Sequence, residues 1–294
     1  MESNVYLYEK RITGGLDLAS LLKNCPVIDR NEELHNSIRI EMSQKALDFY
    51  LFIFDYIKEQ SERINELLQE DFKAEYVLHS KGSSLFGGYF CSDPIEDLII
   101  GNTSRGRLLK RKSSESNPHY FSSGKLVKAL HPARTPIVYL YDKESIVYEI
   151  DCSLIDNDRL YCVKCEYDNS GRIAKRTKYM FTKTHPAFFM VIPKGFKPLV
   201  IRDENKGLDY MFEIKEIQYF YDGDRISSAE INNYVSVPDT LNSELYKFSY
   251  DGDYYSDYSV FEYINGREYS LKALKKRKFD EFLKMPDISD FIKQ

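Results

Sequence analysis

Apolar residues in the first quarter of the chain recur at helical spacing. From 44 to about 72, Leu47, Tyr50, Phe54, Ile57, Ile64, Leu67, Leu68 and Phe72 keep steps of three or four behind Ser43, a residue suited to an N-cap. The spacing predicts one long helix over 44–72. Its first half, through Leu51-Phe52-Ile53-Phe54, is apolar nearly all round, whereas Glu59, Glu62, Arg63, Glu66 and Glu70 give the second half a wet side. A helix of that kind needs a sheet to bury it. Ahead of it, alternation over 4–12 and the Ile38, Ile40, Met42 series over 37–42 predict two short strands, with a short helix over 17–23 stopped before Pro26.

Beyond a short strand expected at 76–79, the pattern changes to period two from 119 onward. Extended runs at 121–127, 137–141, 146–150, 160–167, 172–181, 187–192, 199–202, 210–221, 231–237, 245–250 and 259–264 are separated by Asp, Asn and Gly turn signals. No helix-length segments lie between them, so the strands are expected to pair antiparallel as a meander, since parallel pairing needs crossover connections. Asn265-Gly266 is a further hairpin signal. Residues 270–284 then return to helical spacing, with Leu271, Leu274, Phe279, Phe282 and Leu283 on one side and Lys275-Lys276-Arg277-Lys278 on the other. The fold expected is α+β: a large antiparallel β-meander sheet with one long N-terminal-region helix and a C-terminal helix. Residues 1–118 form an N-terminal α/β region with the helix and a basic loop, and 119–294 form the meander with the C-terminal helix, as two regions or one continuous domain.

The segment Tyr167-Asp168-Asn169-Ser170-Gly171-Arg172-Ile173 has partial copies at Tyr141-Asp142 leading to Ile146, at Tyr221-Asp222-Gly223-Asp224-Arg225-Ile226, and at Tyr250-Asp251-Gly252-Asp253-Tyr254. In each, an aromatic extended run enters residues that tolerate positive φ and then resumes, which predicts a ladder of hairpins. The 167–173 form resembles the YD (RHS-type) repeat of bacterial polymorphic toxin shells. Proteins with such turns are similar in character to the immunity proteins encoded beside those toxins. The resemblance implies a non-enzymatic protein-binding role, with a toxin domain as the class of partner.

Composition narrows the setting. The chain of 294 residues is long enough to bury a core without staples. Its five cysteines, an odd number with no signal-peptide stretch ahead of them, suit reduced thiols in a cytoplasmic protein. No run approaches the length of apolar residues that spans a bilayer. A formal net charge of −5 argues against nonspecific nucleic-acid binding by the whole molecule, but the charge is uneven. Residues 101–134 hold eight Lys or Arg against Glu115 alone, whereas 239–269 hold seven acids against two bases. There are 24 Tyr and no Trp, and Tyr suits half-exposed sheets and interfaces where one end of a side chain is apolar and the other wet.

These features single out one surface. Tyr250, Asp251, Asp253, Tyr254, Tyr255, Asp257 and Tyr258 interleave rings with carboxylates, a pattern that would steer and hold a cationic protein partner; the plainer reading is a hairpin kept soluble by its acids. The alternative function is an enzyme, a nuclease or other phosphate-directed hydrolase. In it His119 and His131 form an acid–base pair and Arg105 steadies a phosphate within the basic 101–134 segment. Cys152, Cys162, Cys165 and His185 have metal-ligand side chains, but Cys162 and Cys165 stand three apart on one predicted strand and so point to opposite faces. No metal, cofactor or catalytic residue is assigned. The Gly-rich run 82–88 matches neither the P-loop nor the dinucleotide fingerprint.

Overall fold

The computed structural model describes residues 32–81, 89–90, 93, 95, 106–130, 136–152, 159–184, 200–203, 208–236, 240–252 and 254–277. The expectations for 4–12, 17–23, 82–88 and 187–192 lie outside these residues. Two helices come first, α1 (Glu32–Glu59) and α2 (Ser61–Leu68). Strands follow as β1 (Tyr76–Lys81), β2 (Arg107–Leu109), β3 (Asn117–Ser122), β4 (Lys125–Leu130), β5 (Pro136–Asp142), β6 (Ser145–Asp151) and β7 (Arg159–Tyr167). The second half adds β8 (Ile173–Lys183), β9 (Ile201–Asp203), β10 (Leu208–Asp222), β11 (Arg225–Val235), β12 (Thr240–Asp251), β13 (Tyr254–Glu262) and β14 (Arg267–Arg277). All fourteen join one antiparallel sheet, in the order β14-β13-β12-β11-β10-β8-β7-β6-β5-β4-β3-β1-β2, with β9 paired to β10 off this path. The 118/119 boundary falls inside β3, so the sheet is continuous across it. No helix among the described residues is long and apolar enough to cross a membrane.

The helical region departs from expectation at its start. Residues 37–42 are helix, not strand, because Ile38 and Met42 begin the stripe that continues through Ala46, Phe49, Tyr50 and Ile53. Ile40, the middle member of the apparent alternation, is left 67% exposed. The single helix expected over 44–72 is two helices, with Gln60 as the N-cap of α2, and Phe72 lies beyond its end. At the other terminus, 270–277 is strand where a helix was expected. The Leu271 and Leu274 spacing yields there to antiparallel pairing with β13, which places Ser270 opposite Ser259 and Leu271 opposite Tyr258. Residues 278–294 lie outside those described.

Strand alternation gives the sheet two faces, and each is covered differently. On the first, α1 lays Met42, Ala46, Phe49, Tyr50 and Ile53 over Val138, Ile150, Cys162, Tyr179, Phe181, Ile214 and Tyr234, and α2 adds Ile64 and Leu67. The Phe49 and Tyr179 rings stack with centroids 3.7 Å apart. Polar groups fix the helices on this face: Lys45 reaches Glu216 at 3.1 Å, Arg39 donates to the Tyr234 hydroxyl at 3.3 Å, and the Lys128 ammonium donates to the Leu67 carbonyl at the end of α2. Burial works against the Lys45 charge, but Glu41 and Glu216 outweigh it and hold its pKa above the usual lysine value. The second face carries two apolar clusters. One gathers Leu78, Phe121, Leu126, Ile137 and Tyr139 with Phe90, and the other gathers Ile217, Tyr219, Ile226, Ile231 and Tyr246 with Ile95.

One end of the sheet is built from a recurring device. The β3–β4, β5–β6, β7–β8, β10–β11 and β12–β13 hairpins each shift register just before the turn, at Phe121, Tyr141, Tyr167, Tyr221 and Tyr250 respectively. Three of these tyrosines donate their hydroxyl to the first isoleucine of a neighbouring hairpin's return strand: Tyr167 to the Ile146 carbonyl, Tyr221 to that of Ile173 and Tyr250 to that of Ile226. Before Ile173, Ile226 and Leu126, though not before Ile146, stands a basic residue that covers a ring: Arg172 over Tyr221, Arg225 over Tyr250 and Lys125 over Tyr141. The recurring Tyr-Asp pattern therefore ties each hairpin to the next. In the 168–172 turn, Asp168 accepts from the backbone N–H of Ser170 and Arg172 and from Arg172 Nε at 2.8 Å, while Gly171 supplies a φ of +75° that a side chain would strain.

Two stability outcomes follow. Phe49→Ala should lower the unfolding free energy by about 3–5 kcal/mol, whereas Leu51→Ala, on the open side of α1, should cost well under about 1 kcal/mol; urea denaturation of both variants measures the contrast. The Asp168 pKa is lowered, chiefly by the Arg172 backbone N–H. Its contribution is therefore present above the unfolded-state value and lost as pH falls from about 4 through the lowered folded value. Asp168→Asn should flatten this acid limb in urea midpoints measured across it, and an unchanged limb would remove the turn from the pH response.

Candidate functional site

Between the two apolar clusters of the second face, β6 and β8 bring Glu149 and Arg176 inward beside Cys165 of β7 and Tyr219 of β10. Arg176 donates to Glu149 at 2.7 Å and lies 3.5 Å from Asp93, and all three are buried. Asp93 also accepts from the Tyr219 hydroxyl at 2.8 Å and from the Ile95 backbone N–H at 2.9 Å. Phe90 belongs to one cluster and Ile95 to the other, and Asp93 is held between them by Arg176 and Tyr219. Burial raises the Glu149 pKa against the pull of Arg176. For Arg176, burial is outweighed by Glu149, Cys165 and Asp93, which hold its pKa well above the ordinary value. Its paired, enclosed geometry describes a structural fastening. Arg176→Met should cost about 3–5 kcal/mol by leaving two carboxylates buried without their cation, and adding Asp93→Asn and Glu149→Gln should recover much of that loss in chemical denaturation.

The cysteines lie near this centre on different faces. Cys162 stands opposite Tyr179 under α1, while Cys165 stands opposite Arg176, its thiol 3.8 Å from Glu149. An offset of three on β7 therefore separates them through the thickness of the sheet, and one ion cannot take both. Burial pushes the Cys165 thiol up to about 12 and the Cys162 thiol well above its usual value. Cys152 is buried with the Cys162 cluster, and His185 lies outside the described residues. No group of three or more metal-ligating side chains occurs among the described residues.

Of the residues named for phosphate chemistry, His119 is 2% exposed, within 2.8 Å of the Ser80 hydroxyl and edge-on to Phe90. His131 and Arg105 lie outside the described residues. Arg107, Lys110, Arg111 and Lys112 of the basic segment are exposed, and Arg107 belongs to β2.

The acidic, tyrosine-rich run forms the β12–β13 hairpin, and alternation divides it. Tyr250 and Tyr258 are half-buried on the second face, Tyr250 beneath Arg225 and Tyr258 beside Tyr246 and Phe248. Asp251 is exposed at the turn, and Asp257, also exposed, points to the first face, opposite Lys272 in register. Tyr254 and Tyr255 belong to β13, but their side chains, like residue Asp253, lie outside the description.

Next to this hairpin the second face holds a depression of about 390 Å³ across β10–β14. Tyr246, Tyr258 and Tyr269 form its aromatic wall, Ile231, Val260 and Leu271 its apolar lining, and Lys215, Asn233, Asn242 and Glu244 its polar groups. The Tyr246 hydroxyl donates to Glu244 at 2.9 Å, and the Tyr246 and Tyr258 rings stack at 6.1 Å. Burial and the Glu244 carboxylate raise the Tyr246 pKa, so this phenol remains a donor at neutral pH. Tyr269 and Leu271 are 39% and 42% exposed. Only Tyr258 of this lining was singled out in the sequence. The alternating series Asn242, Glu244, Tyr246 was a legible signal that one face of β12 mixes polar and aromatic groups. Its meeting with Tyr269 depends on the register of β14.

Comparison of the chain with protein-family models and with curated protein sequences finds no match.

Proposed function

We propose that this protein is a non-enzymatic binding module that holds a cationic protein partner on the second face of β10–β14. The observation that carries the reading is the concave surface where three tyrosines surround Glu244 beside an exposed hairpin. Tyr rings contribute large contact area at small entropic cost, and a carboxylate among them favours a positive side chain. The acids of the 239–269 segment add a long-range attraction that speeds encounter. The sequence resemblance to immunity-type proteins suggests a toxin domain as the partner class, and the cytoplasm as the place of meeting. A phosphate-directed reaction gains no support from His119, whose ring is enclosed by Ser80 and Phe90.

The test begins with capture of a partner and proceeds to kinetics. Tyr258→Ala should speed dissociation about tenfold, the size of a modest interface anchor. Changing Asp251 and Asp257 together to Asn should slow association and flatten its salt dependence while leaving dissociation nearly unchanged. Loss of binding on neutralising Lys110, Arg111 and Lys112, with the Tyr and Asp variants behaving as wild type, would reject this surface.

A further inference from the structure

Resting on that reading of the surface, we infer that the β10–β14 depression is a guanidinium pocket, built to take an arginine side chain of the partner. Three independent features converge on this ligand. The first is aromatic: Tyr258, stacked on the buried Tyr246 at an interplanar angle of 22°, and Tyr269, exposed on β14, give a flat cation ring faces to lie against. The second is charge. Glu244 stands directly opposite Glu262 across β12 and β13, a like-charge cross-strand pair that an added cation relieves. Asn265 donates to Glu262 at 2.8 Å and Arg267 follows in register, so Glu262 has local neighbours that Glu244 lacks in register. Tyr246 occupies one of the roughly four lone-pair positions of the Glu244 carboxylate.

The third feature is an unmet acceptor. Asn233 belongs to the lining, and its Oδ1 is covered from solvent with no hydrogen-bond partner among the described residues, so a turn of this side chain toward the depression gives it a donor. Glu244 pairs with Ile231 in register, which sets Asn233 diagonal to it on the adjacent strand, at a spacing of about 7–8 Å. A group that donates in two directions while lying flat bridges such acceptors. Guanidinium has five N–H donors in a plane and no acceptor, whereas an ammonium is a compact point charge without a face to stack. Lys215, opposite Asn233 on β10, is the cation among the described residues of the lining and competes with the ligand. Burial lowers its pKa, with Asp93, Glu213 and Glu244 acting in the other direction.

The experiment uses the full chain and three small probes: the Nα-acetyl amides of arginine, lysine and citrulline. Titration is followed by the Asn233 side-chain amide in NMR and by tyrosine fluorescence, which is unobscured because the chain has no Trp. The arginine probe should shift both signals saturably, lysine should bind more weakly, and citrulline, which keeps the shape and loses the charge, should not bind. Glu244→Gln should weaken the arginine probe about tenfold, the worth of one charge-assisted hydrogen bond, while Asn233→Asp and Lys215→Met should each tighten it. Equal binding of arginine and citrulline, or a folded Glu244→Gln variant with unchanged affinity, overturns the assignment. If the arginine probe fails while Tyr258→Ala still releases a captured partner, the pocket's ligand is wrong and the binding surface stands. If Tyr258→Ala also leaves partner capture intact, both readings fall.

Discussion

A β-strand sends alternate side chains to opposite sides, so a sheet of this breadth has two faces to cover at once. The first is covered by α1, whose stripe from Met42 to Ile53 lies across strands from β5 to β11. The second carries the ion-paired centre of Asp93, Arg176 and Glu149 between two apolar clusters, one joined by Phe90 and the other by Ile95. Buried charges of this kind give little net stability over an apolar replacement, but removing one partner is costly because the other is left buried without its counter-charge. The open part of the second face, over β10–β14, is where the tyrosine-lined depression lies.

The Tyr-Asp turns explain how so many strands stay in step. Three bulged tyrosines donate their hydroxyl to a neighbouring hairpin's carbonyl, and for Tyr221 and Tyr250 the arginine of that hairpin also covers the donor's ring. Tyr250 belongs to this fastening as well as to the run first read as a contact surface. Its hydroxyl is engaged in tying β12 to β11, whereas Tyr246, Tyr258 and Tyr269 line the depression.

Much of this was legible in local pattern. The period-two runs from 119 onward and the Asp, Asn and Gly turns carry most of the meander, because hairpins between sequence neighbours need only local signals. The helix was legible where its stripe was regular. It was misread at 37–42, where Ile38, Ile40 and Met42 alternate as in a strand while Ile38 and Met42 also keep the four-residue helical step, and Ile40 ends exposed with Met42 buried. Residues 270–277 were misread in the opposite sense, since edge pairing with β13 overrode an apolar spacing that also suits a helix. The Asp93–Arg176 pair and the meeting of Glu244 with Tyr269 were not legible, because each joins positions whose proximity is set by the sheet's register.

The strand order has a consequence for how the chain is made. From β3 onward the path through the sheet follows synthesis, so each new hairpin can zip onto an edge that already exists, and most pairing has low contact order. The helix α1 is the exception. Its buried stripe is translated first, while several of the surfaces that receive it, Tyr179 and Phe181 on β8, Ile214 on β10 and Tyr234 on β11, emerge much later. During that interval Phe49, Tyr50 and Ile53 have no native cover from those strands, so this apolar stripe is exposed to non-native contacts until they form.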